Sequence, residues 1–267
     1  MKKIIGILSI ITNFCFGQNA ISPSIVENSR NSCVKIMSLE GNSVGTGFFI
    51  SDDIILTCFH VISKSSIVNG NVNFTIFGDL QAVTENGETT PLTCISIPTP
   101  QAPEPYLQDF ALLKTSKNIV SKIILPLSSK IDFSITDPII FSGYPFGIPT
   151  IVTHVGTISG FTKDESLICI QSSINKGNSG GALINKQGKV IGIVSSKEGG
   201  ISANLESYLN AIKESEQQGT VQLMGINPLQ ATKETIVILD KYISTGIGYA
   251  NNIKFTSEFI RKNNIKL

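Results

Sequence analysis

Hydrophobic residues between Ser32 and Val194 occur in short runs rich in β-branched and aromatic side chains, and Gly, Pro, Asn and Ser separate the runs. Many short apolar runs at this spacing are typical of an all-β barrel or sandwich rather than of alternating strands and helices. We therefore expect an all-β fold. The predicted strands are Cys33–Met37, Gly47–Ile50, Ile54–Cys58, Val72–Phe77, Phe110–Lys114, Ile139–Ser142, Ile151–Ser159, Leu167–Ser172, Ala182–Ile184 and Val190–Val194.

Two stretches interrupt this pattern. Pro98–Pro105 is rich in proline, which cannot donate a ladder hydrogen bond in a central strand, so we expect a surface connection there. The second break, Leu125–Pro138, is the predicted boundary between two β units.

The last quarter of the chain has helical periodicity. Apolar residues recur at helical spacing within Ser202–Gln218, and Gly219 follows as a stop signal. Asn227 followed by Pro228 matches a helix N-cap with proline at the first helical position. The predicted elements are a helix over Ser202–Gln218, a helix from Pro228 to just before Gly246, a strand over Ile247–Ala250 and a closing helix near Ser257–Lys262.

The N-terminal residues have the parts of a secretory signal peptide. Lys2 and Lys3 precede the mostly apolar run Ile4–Phe16, and small residues stand before a predicted cut at Gln18. The apolar run is shorter than the ~20 residues that span a bilayer. We therefore expect residues 1–17 to be a signal peptide and residues 18–267 to be exported, periplasmic or secreted, with no stable membrane insertion after cleavage.

Charge and cysteine content limit the functions to consider. The formal net charge is +1 with no block of like charges, whereas nucleic-acid-binding proteins carry a basic footprint, so we expect no nucleic-acid partner. No CxxC pair occurs, and neither a metal nor another cofactor is predicted. Four cysteines follow the signal peptide, and they either form disulfides of undetermined pairing or act as small buried hydrophobes. They are Cys33, Cys58, Cys94 and Cys169.

The segment Asn175–Ala182 reads Asn-Lys-Gly-Asn-Ser-Gly-Gly-Ala. Glycine loses more backbone entropy on folding than other residues, so such a run makes sense where the backbone turns tightly and aims several N–H groups at one point. Ser179 would there attack a carbonyl while N–H groups stabilise the developing oxyanion. An ordinary glycine-rich turn is the alternative that this run alone leaves open.

A serine nucleophile needs a base, and the chain has two histidines. His60 ends an apolar run where a strand gives way to a loop, whereas His154 lies inside a strand, where histidine is more often structural. His60 is the predicted base. Asp109 precedes the apolar strand Phe110–Leu113, which would draw it inward to orient the imidazole, while the other aspartates considered lie in turn-like segments.

Together these segments resemble the trypsin-like serine peptidases, most closely the bacterial HtrA/Deg branch. They follow the family's order of His, Asp and Ser, and the resemblance covers about residues 32–195 and 246–262. The segments are Gly45–Ile50, Leu56–Val61, Asp109–Leu113 and Gly177–Gly181, and Gly143–Gly147 and Gly246–Ala250 are also similar to that branch.

The resemblance implies two six-stranded Greek-key β-barrels with a triad of His60, Asp109 and Ser179 between them. The first barrel would cover about residues 30–125 and the second about 135–262, with a helical insertion at about 197–245 and a C-terminal helix. The backbone N–H groups of Gly177 and Ser179 would form the oxyanion hole. The implied activity is endopeptidase hydrolysis of protein or peptide substrates through an acyl-enzyme. Non-catalytic binding and esterase activity are the alternatives, and the oligomeric state stays open.

The resemblance also places the pocket for the substrate's P1 side chain, on the acyl side of the scissile bond. It would be lined by Ser173, Val194, Ser195 and Ser196. None of these is acidic, and an unpaired buried cation is costly, so Lys or Arg is disfavoured at P1 and a small or medium apolar residue is expected.

Three features differ from better-known members of the family. Asn178 stands where digestive members have an aspartate that pairs with a freed N-terminus, so we do not expect that mode of activation. Leu267 follows soon after the second barrel should close, so no PDZ domain or PDZ-gated regulation is expected. The helical insertion would be a lid, a substrate platform, a partner site or a surface decoration.

Overall fold

A computed structural model describes residues 21–68, 71–98, 108–129, 133–197, 208–209, 211–212, 214, 222, 225, 227–242 and 246–267. The predicted signal peptide, most of the proline-rich stretch and most of the predicted helix over Ser202–Gln218 lie outside these residues. The described part forms two closed six-stranded antiparallel barrels, which confirms the predicted fold class.

The first barrel is built from strands that precede residue 116. Its strand order is β1-β2-β3-β8-β7-β6, and β4 and β5 pair with each other as a separate hairpin. The strands are β1 (Cys33–Ser38), β2 (Ser43–Phe49), β3 (Ile54–Thr57), β4 (Ser63–Val68), β5 (Asn71–Ile76), β6 (Gln81–Val83), β7 (Thr89–Ser96) and β8 (Ala111–Thr115).

The second barrel follows the same plan, with the strand order β9-β10-β11-β14-β13-β12. Strands β13 and β14 are antiparallel neighbours, so the helical insertion that connects them leaves and rejoins the barrel at the same end. The strands are β9 (Pro138–Gly143), β10 (Val152–Phe161), β11 (Leu167–Gln171), β12 (Ala182–Asn185), β13 (Val190–Lys197) and β14 (Ile247–Asn252).

Four α-helices are described: α1 (Pro23–Ser32), α2 (Phe59–Ile62), α3 (Pro228–Tyr242) and α4 (Ile253–Lys262). The N-cap predicted for α3 is confirmed, because the side chain of Asn227 accepts from the backbone N–H of Leu229 at 3.0 Å. The closing helix α4 begins at Ile253 rather than near Ser257, because the Asn252 side chain caps it by accepting from the Lys254 N–H at 3.1 Å.

One buried apolar cluster joins the two barrels. It contains Leu56 and Leu112 from the first barrel and Ile193 from the second. Helix α4 contributes to the same cluster, and its Phe259 ring meets that of Phe110 edge-on at 5.3 Å. This shared core fixes the barrels relative to each other and so determines what lies between them.

The four described cysteines carry thiols rather than disulfides, which favours the structural reading of these residues. Cys33 and Cys58 are buried, and Cys94 and Cys169 are half-buried. Within the described ranges, no helix has the length and apolar character needed to cross a membrane.

Candidate active site

The structure brings His60 and Asp109 into direct contact. Asp109 Oδ2 lies 2.7 Å from His60 Nδ1, and Asp109 Oδ1 accepts from the backbone N–H of His60 at 3.0 Å. His60 lies in the short helix α2, directly after β3, and Asp109 directly precedes β8, the neighbour of β3 in the barrel. Both carboxylate oxygens bond to His60, and this fixes the orientation of the ring. Nε2 is the ring nitrogen that Asp109 does not contact.

Asp109 is buried, and the fold compensates the cost of burying its charge. Its Oδ2 also accepts from the Ser195 hydroxyl at 2.8 Å, so the carboxylate has three hydrogen bonds. Asn251 of β14 donates from its side chain to the Asp109 carbonyl at 2.9 Å. Ser195 and Asn251 belong to the second barrel, so the second barrel helps to hold Asp109, a residue of the first barrel, by hydrogen bonds.

The electrostatics of the pair match this geometry. Burial alone would lower the pKa of His60, but the Asp109 charge and hydrogen bond outweigh it and hold that pKa above its usual value. Burial likewise opposes ionisation of Asp109, yet the His60 charge and the hydrogen bonds from His60 and Ser195 keep the Asp109 pKa below its usual range. Asp109 is therefore a carboxylate at neutral pH, and His60 is a stronger base than a free imidazole.

Ser179 lies on the loop before β12, and both barrels hold this loop. Thr46 of β2 donates from its backbone N–H to the Ser179 carbonyl at 2.8 Å and from its hydroxyl to the Gly177 carbonyl at 2.6 Å. The Gly180 N–H donates to the Val194 carbonyl of β13 at 2.7 Å. The loop is thus bonded on one side to the first barrel and on the other to the second.

Gly177 is required by its backbone conformation. Its φ is +97°, and a Cβ placed there would lie 2.1 Å from the Tyr144 carbonyl oxygen, so no other residue fits without rearrangement. The Lys176 carbonyl accepts from the Phe146 N–H at 2.5 Å. Because a trans peptide directs its C=O and N–H to opposite sides, this bond turns the Gly177 N–H away from Phe146.

Ser195 connects Ser179 to the His60–Asp109 pair. The Ser179 hydroxyl donates to the Ser195 carbonyl at 2.8 Å, and the Ser195 hydroxyl donates to Asp109. A hydroxyl has one proton, so in this structure Ser179 directs it to Ser195 and not to His60. The Ser179 hydroxyl must redirect its proton from Ser195 before the imidazole can receive it, and catalytic contacts of this kind often form only when substrate binds.

His154 does not join this arrangement. Its Nε2 lies 3.3 Å from the amide nitrogen of Asn178, and its ring stacks on Phe141 with ring centroids 4.7 Å apart. Asn178 is fully buried directly before Ser179, and its Oδ1 has no hydrogen-bond partner among the described residues. Burial lowers the pKa of His154, so its ring is neutral at pH 7.

The residues expected to line the P1 pocket have different surroundings. Ser173 is exposed at the end of β11. The Val194 side chain packs into the core of the second barrel, and its backbone N–H and carbonyl are already bonded to Gly181 and Gly180. The Ser195 side chain is directed to Asp109, and the side chain of Ser196 lies outside what the structure describes.

Cys58 is buried next to the His60–Asp109 pair. The sequence patterns did not predict this placement. The ligand atoms of Cys58, His60 and Asp109 lie within 4.8 Å of one another, as in a metal site. The Cys58 thiol donates to the Val194 carbonyl at 3.2 Å, and burial together with the Asp109 charge raises its pKa well above the usual range. A thiol that stays protonated is a poor metal ligand, so the donor set does not fit a metal.

Comparison with known proteins identifies relatives over the same region. Over 221 residues the chain is 29% identical to the putative protease Do-like 14 of Arabidopsis thaliana, covering 75% of this chain and 47% of that protein. Over 158 residues it is 31% identical to a probable periplasmic serine endoprotease, DegP-like, of Chlamydia pneumoniae, covering 56% and 28%. The chain therefore spans less than half the length of either relative.

A solved serine endoprotease from Yersinia pestis has a similar fold, with a TM-score of 0.54 and 20% identity over 89% of this chain and 64% of that one. Residues 45–193, more than half of the chain, match the family model described as a trypsin-like peptidase domain. This region begins in β2, includes His60, Asp109 and Ser179, and ends in β13. The chain belongs to the trypsin-like peptidase domain family.

Proposed function

We propose that this chain is a serine endopeptidase whose catalytic triad is His60, Asp109 and Ser179. The observation that carries the proposal is the His60–Asp109 pair, in which both carboxylate oxygens bond His60. Ser195 links this pair by two hydrogen bonds to Ser179, which lies on a loop held by both barrels. Relatives named as proteases support the same activity.

The geometry assigns a role to each group. Ser179 Oγ attacks the peptide carbonyl carbon and its proton passes to His60 Nε2, because Asp109 occupies Nδ1. When the C–N bond breaks, His60 returns this proton to the leaving amine and the acyl-enzyme remains. A water molecule then gives a proton to His60, attacks the acyl carbon and releases the acid, and His60 returns the proton to Ser179. Asp109 stays ionised throughout.

The N–H groups of Gly177 and Ser179 are the proposed oxyanion donors. The Lys176–Phe146 hydrogen bond supports this role for Gly177, because it directs the Gly177 N–H away from Phe146. Preformed donors of this kind need no reorganisation as charge develops on the substrate oxygen.

Labelling with a fluorophosphonate tests the proposal. The chain should react at Ser179 and cleave casein or peptides, while the Ser179→Ala variant should do neither. Labelling of Ser179 together with turnover of small esters but of no peptide would favour an esterase. Absence of both labelling and turnover in the folded chain would favour a non-catalytic binding protein.

For the P1 residue we propose a small or medium apolar side chain. Support comes from the lack of an acidic residue among Ser173, Val194, Ser195 and Ser196, and the carboxylate of Asp109 is buried and already accepts three hydrogen bonds. A peptide library varied at P1 tests this, and fastest cleavage after Lys, Arg or Glu would contradict it.

We also propose that the mature protein acts outside the cytoplasm, in the periplasm or secreted. The signal-like residues 1–17 support this, and one relative is named as periplasmic. Expression in a bacterial host followed by fractionation and N-terminal sequencing should give an exported chain that begins at Gln18. An uncleaved cytoplasmic product would contradict the proposal.

A further inference from the structure

An apolar pocket of about 280 Å³ lies beside Gly177. Three apolar side chains line it, one from β2, one from the turn after β9 and one from helix α3 of the insertion. These are Val44, Phe146 and Val237, which are 40%, 38% and 52% exposed, and the polar residues Asn42 and Lys176 also line the pocket. Apolar side chains that converge in this way form a surface that a bound apolar group would shield from water.

The backbone at Phe146 is strained. Its φ is +57°, in the left-handed region that a bulky residue rarely adopts. Strain of this kind persists where the surrounding structure demands it, and it concentrates at functional sites. Here the same backbone gives its N–H to the Lys176 carbonyl and presents the ring to the pocket. The conformation therefore couples the shape of the pocket to the orientation of the Gly177 peptide.

For a substrate whose acyl segment follows β13, the pocket would lie on the leaving-group side of Ser179. Strand β13 runs along one side of this serine, because Gly180 donates to the Val194 carbonyl and Ser179 to the Ser195 carbonyl. Strand β2 runs along the other side, where Thr46 donates to the Ser179 carbonyl. A substrate whose acyl segment follows β13 has its amine segment directed towards β2, the strand that contributes Val44 to the pocket.

Helix α3 holds its part of the pocket wall in a defined position. Ile236, the residue before Val237, is buried, and Asn227 caps the start of the helix. Val237 is therefore presented to the pocket by an anchored helix.

We propose that this pocket binds one apolar side chain, of the size of Val, Leu or Ile, from the first two residues after the scissile bond. The inference rests on the proposed endopeptidase function and assigns the insertion the role of a substrate platform. Val44, Phe146 and Val237 are three of the five side chains that line the pocket, beside Asn42 and Lys176, and this majority favours an apolar occupant.

Internally quenched peptides test this proposal. A sequence that the wild-type chain cleaves in a mixed peptide library is resynthesised with Leu, Gly or Asp at each of the two positions after the bond. Faster cleavage with Asp than with Leu would show that Lys176 rather than the apolar side chains selects the occupant, and would overturn the inference. At one position we expect kcat/KM to be about 10-fold higher for Leu than for Gly, the usual size of discrimination by an apolar pocket. The Leu-to-Gly ratio should fall towards one in Val237→Ser and in Val44→Thr.

Ile238→Ser is the matched control, because Ile238 is exposed next to Val237 and does not line the pocket. This variant should keep the wild-type ratio. A wild-type ratio near one at both positions, or a ratio that neither pocket variant changes, would overturn the inference while leaving the endopeptidase intact. Failure of every peptide, with no labelling of Ser179, would instead overturn the proposed function.

Discussion

The side-chain amide of Asn178 lies 3.3 Å from Nε2 of His154 and ties the residue before Ser179 to strand β10. An amide nitrogen only donates, so His154 accepts through a deprotonated Nε2, as its lowered pKa allows. The ring is held in turn by its stack on Phe141. Where digestive members of the family have an ion pair, Asn178 of this chain makes a neutral hydrogen bond to His154.

The His154→Ala variant should lower kcat about 5-fold with KM little changed, because a hydrogen bond to the residue before Ser179 contributes about 1 kcal/mol. His154→Gln, which can again accept from Asn178, should recover part of the loss. Steady-state kinetics of both variants make the comparison. A loss in His154→Ala as large as that in His60→Ala would show that the assignment of the base is wrong.

The Ser179→Ala variant should fold normally and lose ~10⁶ in kcat, the loss seen when a serine nucleophile is removed. The fold should survive because the Ser179 side chain contributes one hydrogen bond, to the Ser195 carbonyl. Circular dichroism and thermal melting check the fold, and peptide turnover checks the activity. Turnover within 10-fold of wild type would show that another nucleophile acts.

The pH dependence of kcat/KM should follow His60. The Asp109 charge raises its pKa, so the imidazole keeps its proton to a higher pH, and activity should rise with pH to a midpoint above 6.5. In Asp109→Asn this charge is gone, so the midpoint should move down while the rate falls by ~10⁴. Rates measured in constant-ionic-strength buffers give both midpoints. A wild-type midpoint below 6.5 would contradict the assignment.

The Gly177→Ala variant should lower kcat by ~10²–10³, the cost of losing one oxyanion donor, because its Cβ would collide with the Tyr144 carbonyl and displace the peptide. Gly87→Ala is the matched control. Gly87 also has a positive φ, +81°, but a Cβ there would meet no atom within 4 Å. That variant should lose about 1 kcal/mol of stability and retain its kcat. Equal kcat in the two variants would argue against an oxyanion role for Gly177.

The central strands and the candidate triad could be predicted because each has a local signature. Strands such as Ile139–Ser142 are continuous apolar runs, and β9 differs from that prediction by one residue at either end. Strands β6 and β7 were not predicted, because only alternate residues such as Thr90 and Leu92 are buried and Pro91 interrupts β7. Helix α1 was missed because it is mostly polar: its buried residues are Ser29 and Ser32, and only Ile25 and Val26 pack partly buried against the core.

The contacts that complete the candidate site could not be predicted in this way. The bonds between Ser195 and Asp109, between Asn178 and His154, and between Thr46 and Gly177 each join residues far apart in sequence. Such pairs become neighbours only through the closure and docking of the barrels, and no local pattern encodes them. Cys58 is a similar case, because its thiol reaches the second barrel at Val194.

The two hydrogen bonds from Thr46 to the Ser179 loop make the proposed triad a product of assembly rather than of either barrel alone. A chain in which only one barrel has folded holds His60 without Ser179, or Ser179 without His60, so the proposed activity would be absent until both barrels have docked. In denaturant, turnover should accordingly vanish before the β-sheet signal does, because undocking separates the halves while each can still retain its strands.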